Sequence, residues 1–242
     1  MKIIAMIPAR LDSTRLPGKL MMDLNGSPVI LSTLLNTIKT NLFDEVYVVT
    51  DSKEIYNYLI KHHKNILFSK ENHVSGSDRI AEFAKDMEVD IIVNVQGDEP
   101  LIDKKSLQKL VNTFKLDKYK KIDLVSLMKV ISNREEVENP NNVKVVTDSD
   151  DFAIYFSRSP IPFNSASNPK LNYFKHIGIY GFRKKSLVDF YNSKPTKLEL
   201  IEKLEQLRYL ESGKKIKMVI SDFDGIGIDT MEDLIKARSL FK

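Results

Sequence analysis

The chain contains no cysteine, so disulfide cross-links and thiolate-based metal or redox chemistry are excluded. It lacks any apolar run approaching the roughly 20 residues of a membrane-spanning helix. The N-terminal apolar run is too short for a secretory signal and stops at Pro8-Ala9-Arg10, so the expected compartment is the cytoplasm. No basic tract interleaved with aromatics is present, and 37 Lys and Arg against 33 Asp and Glu leave a formal charge of only +4. That balance gives no pull toward nucleic acid, and a nucleic-acid partner is not expected. Internal repeats and low-complexity tracts are missing as well. Two phosphate-binding signatures are also missing: GxxxxGK[ST], which excludes a Walker A loop, and GxGxxG, which excludes the dinucleotide fingerprint.

What is present fits a soluble α/β protein. With 242 residues, 42% apolar and 29% charged, the chain is long enough for one full α/β domain with an appendage. Ile3–Ile7 reads as a buried strand that delivers the loop Asp12-Ser13-Thr14-Arg15-Leu16-Pro17-Gly18-Lys19. Arg10, Arg15 and Lys19 stand there on a short tether of small residues. Cations and exposed backbone N–H groups at the carboxyl end of a first strand make a polyphosphate cradle, where open α/β sheets place their ligands. The alternative is a solvated basic surface loop.

Further along, Ser27-Pro28 opens a helix with Leu31, Leu34, Leu35 and Ile38 inward. Val46–Thr50 is a strand, and Asp51 with Glu54 resembles a capping pair for a helix that buries Ile55 and Leu59. This strand–helix alternation predicts a parallel sheet covered by helices. Ser75-Gly76-Ser77 reads as a turn able to present backbone groups to a flat ligand, with Ser77 as N-cap of a helix carrying Ile80, Phe83, Ala84 and Met87 inward. Ile91–Val95 is the next strand, and Gln96-Gly97-Asp98-Glu99-Pro100 follows it. Asp98 stands just past that strand, a position suited to holding Mg²⁺ with substrate phosphates, or to a plain turn. Asp103 starts a helix with Leu107, Leu110, Val111 and Phe114 on one face. From Asp123 antiparallel pieces are expected: Leu124–Val130, Val143–Thr147 and Phe152–Ser157, the last two a hairpin, then an irregular loop over Ser159–Pro169. Phe174–Phe182 places Phe174, His176, Gly178, Tyr180 and Phe182 on one face. A helix over Lys197 to Glu211, a strand over Lys215–Ile220 and a helix capped by Thr230 complete the chain. Asp229, just before that cap, is a second candidate metal ligand.

These stretches resemble the 3-deoxy-manno-octulosonate (KDO) cytidylyltransferases, the CMP-KDO synthetases, from end to end. The resemblance is carried by IPARLDSTRLPGK (7–19), HVSGSDR (73–79), VNVQGDEP (93–100), NPNNVKVV (139–146), YFSRSPIP (155–162), KHIGIYGF (175–182), EKLEQLR (202–208) and GIDTMEDL (227–234). It implies the nucleotide-diphospho-sugar transferase fold, a mixed, mainly parallel sheet with helices on both faces. It implies a single cytidylyltransferase domain over 1–242, with about 124–182 as a smaller sugar-site and homodimer subregion. The implied reaction is CTP + KDO → CMP-KDO + pyrophosphate, feeding lipopolysaccharide or capsule synthesis.

The resemblance also implies roles. Arg10, Lys19, Asp98 and Asp229 are the catalytic set, with Asp98 and Asp229 holding Mg²⁺ and Glu99 only an outer neighbour. Pro8, Ala9, Arg10, Arg15, Lys19, Ser75, Gly76, Ser77, Arg79 and Gln96 bind the nucleotide. Gln96, Arg158, His176, Tyr180, Glu205 and Gln206 line the sugar, with Arg158 the natural partner of its carboxylate. Read without the resemblance, His176 is a satisfied core histidine sooner than a ligand, and Glu205 and Gln206 are plain polar residues of an amphipathic helix. The family commonly has Pro after Asp-Thr in the last motif, where this chain has Met231. A rival reading keeps the chemistry on another acid sugar, such as 8-amino-KDO. A non-catalytic sensing module on the same fold is the rival from another class.

Overall fold

The computed structural model describes residues 1–13, 15–71, 73, 75–166, 171–223 and 227–240. Thr14 and Val74 of the quoted motifs, residues 167–169 of the irregular loop and 224–226 before the last motif lie outside the described residues. The chain forms two compact units, Met1–Leu107 with Gly225–Lys242, and Gln108–Asp224.

The first unit opens with β1 (Ile3–Ala9), followed by α1 (Val29–Lys39), β2 (Glu45–Thr50), α2 (Lys53–Leu59), β3 (Ile66–Phe68), α3 (Gly76–Ala84), β4 (Ile91–Asn94) and the start of α4 (Lys104–Leu116). Its strands run parallel in the order β3-β2-β1-β4. β1 is central, and Ile3, Ile4, Ala5, Met6 and Ile7 are all buried, the unbroken apolar run of a strand covered on both faces. Each such large side chain contributes about 1.5–3 kcal/mol by leaving water. The parallel sheet and its covering helices are as expected. β3 is an addition, because three residues are too few to show a period.

Three local expectations are corrected. Pro28, not Ser27, precedes α1 at the N-cap and no side chain caps it; the buried face runs through Ile30, Thr33, Leu34 and Thr37, leaving Leu35 41% exposed. Ser52, not Asp51, caps α2 by accepting from Ile55 N, which frees Asp51 to pair with Arg79. Ser75, not Ser77, caps α3 by accepting from Asp78 N, so Gly76 and Ser77 belong to the first helical turn.

In the second unit β5 (Leu124–Val130) is followed by α5 (Arg134–Glu138), β6 (Lys144–Thr147), β7 (Ala153–Ser157), β8 (Phe174–Arg183), α6 (Lys184–Tyr191), α7 (Lys197–Glu202), α8 (Gln206–Glu211) and β9 (Ile216–Ile220). β5 pairs antiparallel with β8 and parallel with β9, while β6 and β7 form the expected hairpin and β6 also pairs with β8. The hairpin turn is closed by Asp148, whose Oδ1 accepts from Asp150 N and Phe152 N. A register shift between Ser126 and Leu127 interrupts the alternation expected for β8. This unit contains the whole of the 124–182 subregion and extends past it on both sides.

The helix expected over Lys197 to Glu211 is two helices. Lys203 ends α7 in the left-handed region (φ 55) and Leu204 turns inward. The cause lies in Arg208, whose guanidinium bonds both oxygens of Glu199 at 2.5 and 2.7 Å and lies over the Phe190 ring at 3.8 Å. In one continuous helix, residues nine apart sit on opposite faces and about 13 Å apart along the axis, so this pair requires the break.

The chain then returns to the first unit with α9 (Met231–Leu240). Thr230 Oγ accepts from Asp233 N, and Asp233 accepts from Thr230 N, the reciprocal cap the sequence indicated. Arg238 donates to the carbonyl of Asp23 and Asn25 donates to that of Arg238, which anchors α9 and fixes Asp229 ahead of it.

Candidate active site

The carboxyl ends of β1 and β4 and the start of α9 converge on a cavity of about 410 Å³ in the first unit. Pro8, Ala9 and Arg10 enter it from β1, Arg15 and Lys19 from the following loop, and Asp98 and Asp229 from the other two segments. Lys19 is the centre of the charge arrangement. Its ammonium is hydrogen-bonded to Asp98 Oδ2 and, at 2.8 Å, to Asp229 Oδ1; Arg15 pairs with the other Asp229 oxygen at 2.8 Å. Burial works to lower the Lys19 pKa, but the two carboxylates outweigh it and hold the pKa above its ordinary value. Glu99 lines the same cavity, and its carboxyl is pushed up to about 8 by desolvation, with Asp98 and Asp229 adding to the effect. Arg10 is exposed on the cavity wall.

The opposite wall is the start of α3. Ser75, Gly76 and Arg79 line the cavity with Gln96, whereas Ser77 is buried inside the helix and is not part of the lining. A side chain at Gly76 would place its Cβ 3.1 Å from Pro8 Cγ, so the helix start lies directly on β1. Gly97 is tighter still: a Cβ there would stand 2.8 Å from the Pro8 carbonyl oxygen. Arg79 is 3% exposed; its Nη2 pairs with Asp51 at 2.7 Å, while its Nη1 is buried and has no hydrogen-bond partner among the described residues.

Asp12, Ser13, Leu20, His73, Gly97, Glu99 and Gly227 also line the cavity and carried no assigned binding role in the sequence. His73 is fixed by Glu82 at 2.8 Å and by Ser69 at 3.2 Å. It lies inside the HVSGSDR stretch, but a single histidine in a loop has no spacing rule to single it out.

The residues tied to the sugar lie in the second unit, apart from Gln96. Three of them form one chain of contacts. Tyr180 Oη donates to Gln206 Oε1 at 3.2 Å, the Gln206 amide reaches His176 Nδ1 at 3.5 Å, and His176 Nε2 meets Ser126 Oγ at 2.9 Å. Burial lowers the His176 pKa to about 3, so the ring is neutral at physiological pH. Burial, with Glu205 adding, raises the Tyr180 pKa well above its ordinary value. Glu205 sits at the start of α8, beside the break. Among the described residues Arg158 pairs with no Asp. Its Nε donates to the Glu202 carbonyl at 2.9 Å and its Nη1 to the Pro140 carbonyl at 3.0 Å. Phe156, two residues earlier, packs edge-on against His176 with centroids 5.1 Å apart.

Comparison with known proteins follows the same lines. A family model described as Cytidylyltransferase matches residues 4–216. The 3-deoxy-manno-octulosonate cytidylyltransferase of Christiangramia forsetii is 54% identical over 239 residues, 99% of this chain and 96% of the relative. The protein of the same name in Flavobacterium johnsoniae is 54% identical over 242 residues, 100% of this chain and 99% of the relative. Among solved structures, a CMP:2-keto-3-deoxy-manno-octonic acid synthetase complexed with CTP superposes with a TM-score of 0.93 at 34% identity, covering 99% of this chain and 98% of that one. The 4-diphosphocytidyl-2C-methyl-D-erythritol synthase of Anaerococcus prevotii, at TM-score 0.64 and 19% identity, shares the fold alone. The fold is thus the mixed α/β fold of nucleotide-sugar transferases.

Proposed function

The chain belongs to the 3-deoxy-manno-octulosonate cytidylyltransferases of the cytidylyltransferase family, and from that membership we propose that it transfers CMP from CTP to the anomeric 2-hydroxyl of KDO, releasing pyrophosphate. One observation carries the proposal on structural grounds: the Lys19–Asp98–Asp229 cluster in a first-unit cavity walled by Arg10, Arg15 and Arg79. Four cations, with Asp98 and Asp229 held beside Lys19, suit a triphosphate and its counter-ion.

Positioning and charge neutralisation dominate such a transfer, since phosphoryl-type chemistry asks for little covalent work from the protein. Arg10, Arg15 and Lys19 bind the β- and γ-phosphates and offset the charge growing on pyrophosphate. Arg79 adds a further cation to the cavity lining. Pro8, Ala9, Ser75 and Gly76 hold base and ribose through the backbone, because the Ser75 hydroxyl is already engaged with Asp78. The KDO 2-hydroxyl attacks the α-phosphorus in line, the bond to the β-phosphate oxygen breaks, and the hydroxyl proton passes to water.

The residues present fit Mg²⁺. Asp98 and Asp229 already converge on one cation, the Lys19 ammonium, and an all-oxygen pair completed by phosphates suits a hard divalent ion. Bound there, Mg²⁺ supplies polarisation of the α-phosphate and a lowered pKa for the attacking hydroxyl. Arg158 takes the sugar carboxylate, while His176, Tyr180, Glu205 and Gln206 take its hydroxyls. His176 serves as a neutral hydrogen-bonding group. We extend the proposal to a homodimer, supported by Ile154, Phe163, Leu200 and Ile201 exposed on the second unit, and to the cytoplasm, where CTP is made. Among the described residues no helix is long and apolar enough to cross a membrane.

Incubation with CTP, Mg²⁺ and each of several acid sugars tests the assignment. Pyrophosphate release and a CMP-KDO mass are expected with KDO. Turnover with 8-amino-KDO and none with KDO would overturn the choice of sugar.

A further inference from the structure

Lys144 opens β6 and is fully buried, at 0% exposure. Its ammonium donates to three backbone carbonyls, Asn139 at 3.0 Å, Asn142 at 2.6 Å and Arg158 at 2.6 Å. All three donors are therefore used, and none of the acceptors is a carboxylate. Such a site is expensive: burial lowers the Lys144 pKa against the pull of Glu202, with Arg158 adding to the lowering. An apolar side chain would fill the space at less cost. The feature that a lysine alone provides is a three-way tie between the 139–142 turn and the main chain of Arg158.

The tied turn, together with Glu202, orients the Arg158 guanidinium. Pro140, inside the tied turn, accepts from Nη1, and Glu202 accepts from Nε through its carbonyl. The Glu202 carboxylate is occupied separately by Ser157 Oγ at 2.7 Å and Arg158 N at 3.0 Å. The guanidinium is thus held by neutral carbonyls, and Nη2 has no hydrogen bond among the described residues. The charges do not balance either. Among the described residues, the charged groups that act on Lys144 are one carboxylate, Glu202, and one further cation, Arg158. At least one positive charge is in excess beside a preset guanidinium.

We infer that Lys144 is a positioning residue for the acid sugar: through the carbonyls of Asn139, Asn142 and Arg158 it fixes the Arg158 guanidinium, and its charge leaves the cluster in need of one carboxylate. The inference rests on the reading of Arg158 as the partner of that carboxylate. Lys144 itself does not touch substrate.

The test compares Lys144→Met, Arg158→Lys and the double variant in steady-state kinetics with CTP and KDO. Lys144→Met is expected to raise KM for KDO roughly tenfold, the scale of one charge-assisted hydrogen bond, while KM for CTP stays within about twofold. The double variant is expected to be no worse than Arg158→Lys alone, because both changes disable the same guanidinium. Should Lys144→Met fail to fold, Lys144→Gln, whose amide still donates two hydrogen bonds, carries the same comparison. Equal increases in both KM values, or multiplying effects in the double variant, would overturn the inference by reducing Lys144 to a packing role. A raised KM for KDO in Arg158→Lys with an unchanged one in the Lys144 variant would overturn the inference alone. An unchanged KM for KDO in Arg158→Lys would overturn the reading of Arg158, and the inference with it.

Discussion

Arg79 and Gly97 bring opposite kinds of constraint to the nucleotide cavity. Arg79 is a buried cation of the cavity lining, held by Asp51 through Nη2, and its Nη1 has no partner among the described residues. Arg79→Lys keeps the charge but loses the planar fork. It is expected to raise KM for CTP by about tenfold and to leave KM for KDO unchanged, as initial-rate measurements with each substrate varied would report. Gly97 acts by absence. A Cβ there would lie 2.8 Å from the Pro8 carbonyl, a backbone atom with no rotamer to yield. Gly97→Ala is expected to cost about 1–3 kcal/mol of stability, read as a lowered midpoint in chemical unfolding, and to depress turnover by displacing the end of β1. Of the two, Gly97 was legible in the sequence as a tight turn, whereas the close approach to Pro8 is a tertiary contact with no local signature. Arg79 was reached through the family resemblance; its partner Asp51 was assigned instead to a helix cap.

Helix boundaries were read with errors of one or two positions, each with a physical cause. The segment 75–79 offers two serines, and both are chemically able to cap. The φ of −129° and ψ of 166° at Ser75 place the extended N-cap residue there, two positions earlier than Ser77. Ser75→Ala is expected to cost about 1 kcal/mol of stability through the lost cap. It should weaken CTP binding modestly, because the start of α3 forms the cavity wall; calorimetric unfolding and CTP titration would report the two effects. The break at Lys203 was not legible, because the apolar period continues through it and the Glu199–Arg208 pair that demands it has a spacing no helix-face pattern marks. A non-glycine residue pays for the left-handed conformation there, so Lys203→Gly is expected to stabilise the protein by about 0.5–1 kcal/mol. A lower unfolding midpoint in that variant would contradict the backbone reading.

At the scale of the molecule, the alternation of strands and helices made the parallel first unit legible, and the Asp-rich turn made the β6–β7 hairpin legible. The antiparallel pairing of β8 with β5, and the register shift within it, depend on partners 50 or so positions away and left no local trace. His176, on that strand, sets a pH response for the whole fold. Its ordinary pKa of 6.5 falls to about 3 on folding, because burial disfavours the charged ring. Between those values the unfolded chain binds a proton and the folded one does not. Its contribution to stability is therefore complete above about pH 6.5 and is lost as the pH falls toward 3, at up to about 1.4 kcal/mol per pH unit. Urea unfolding between pH 7 and 4 should show this slope reduced in His176→Asn; an identical slope would contradict it. The central claim is the proposal that the first-unit cavity is a CTP–Mg²⁺ clamp with Asp98 and Asp229, the two carboxylates paired with Lys19, as the metal ligands. Mg²⁺-dependent pyrophosphate release by Asp98→Ala and Asp229→Ala tests it most directly, with circular dichroism as the check on folding. Loss of turnover by about a thousandfold or more in each folded variant is the expected result, and near-normal rates in both would contradict the account.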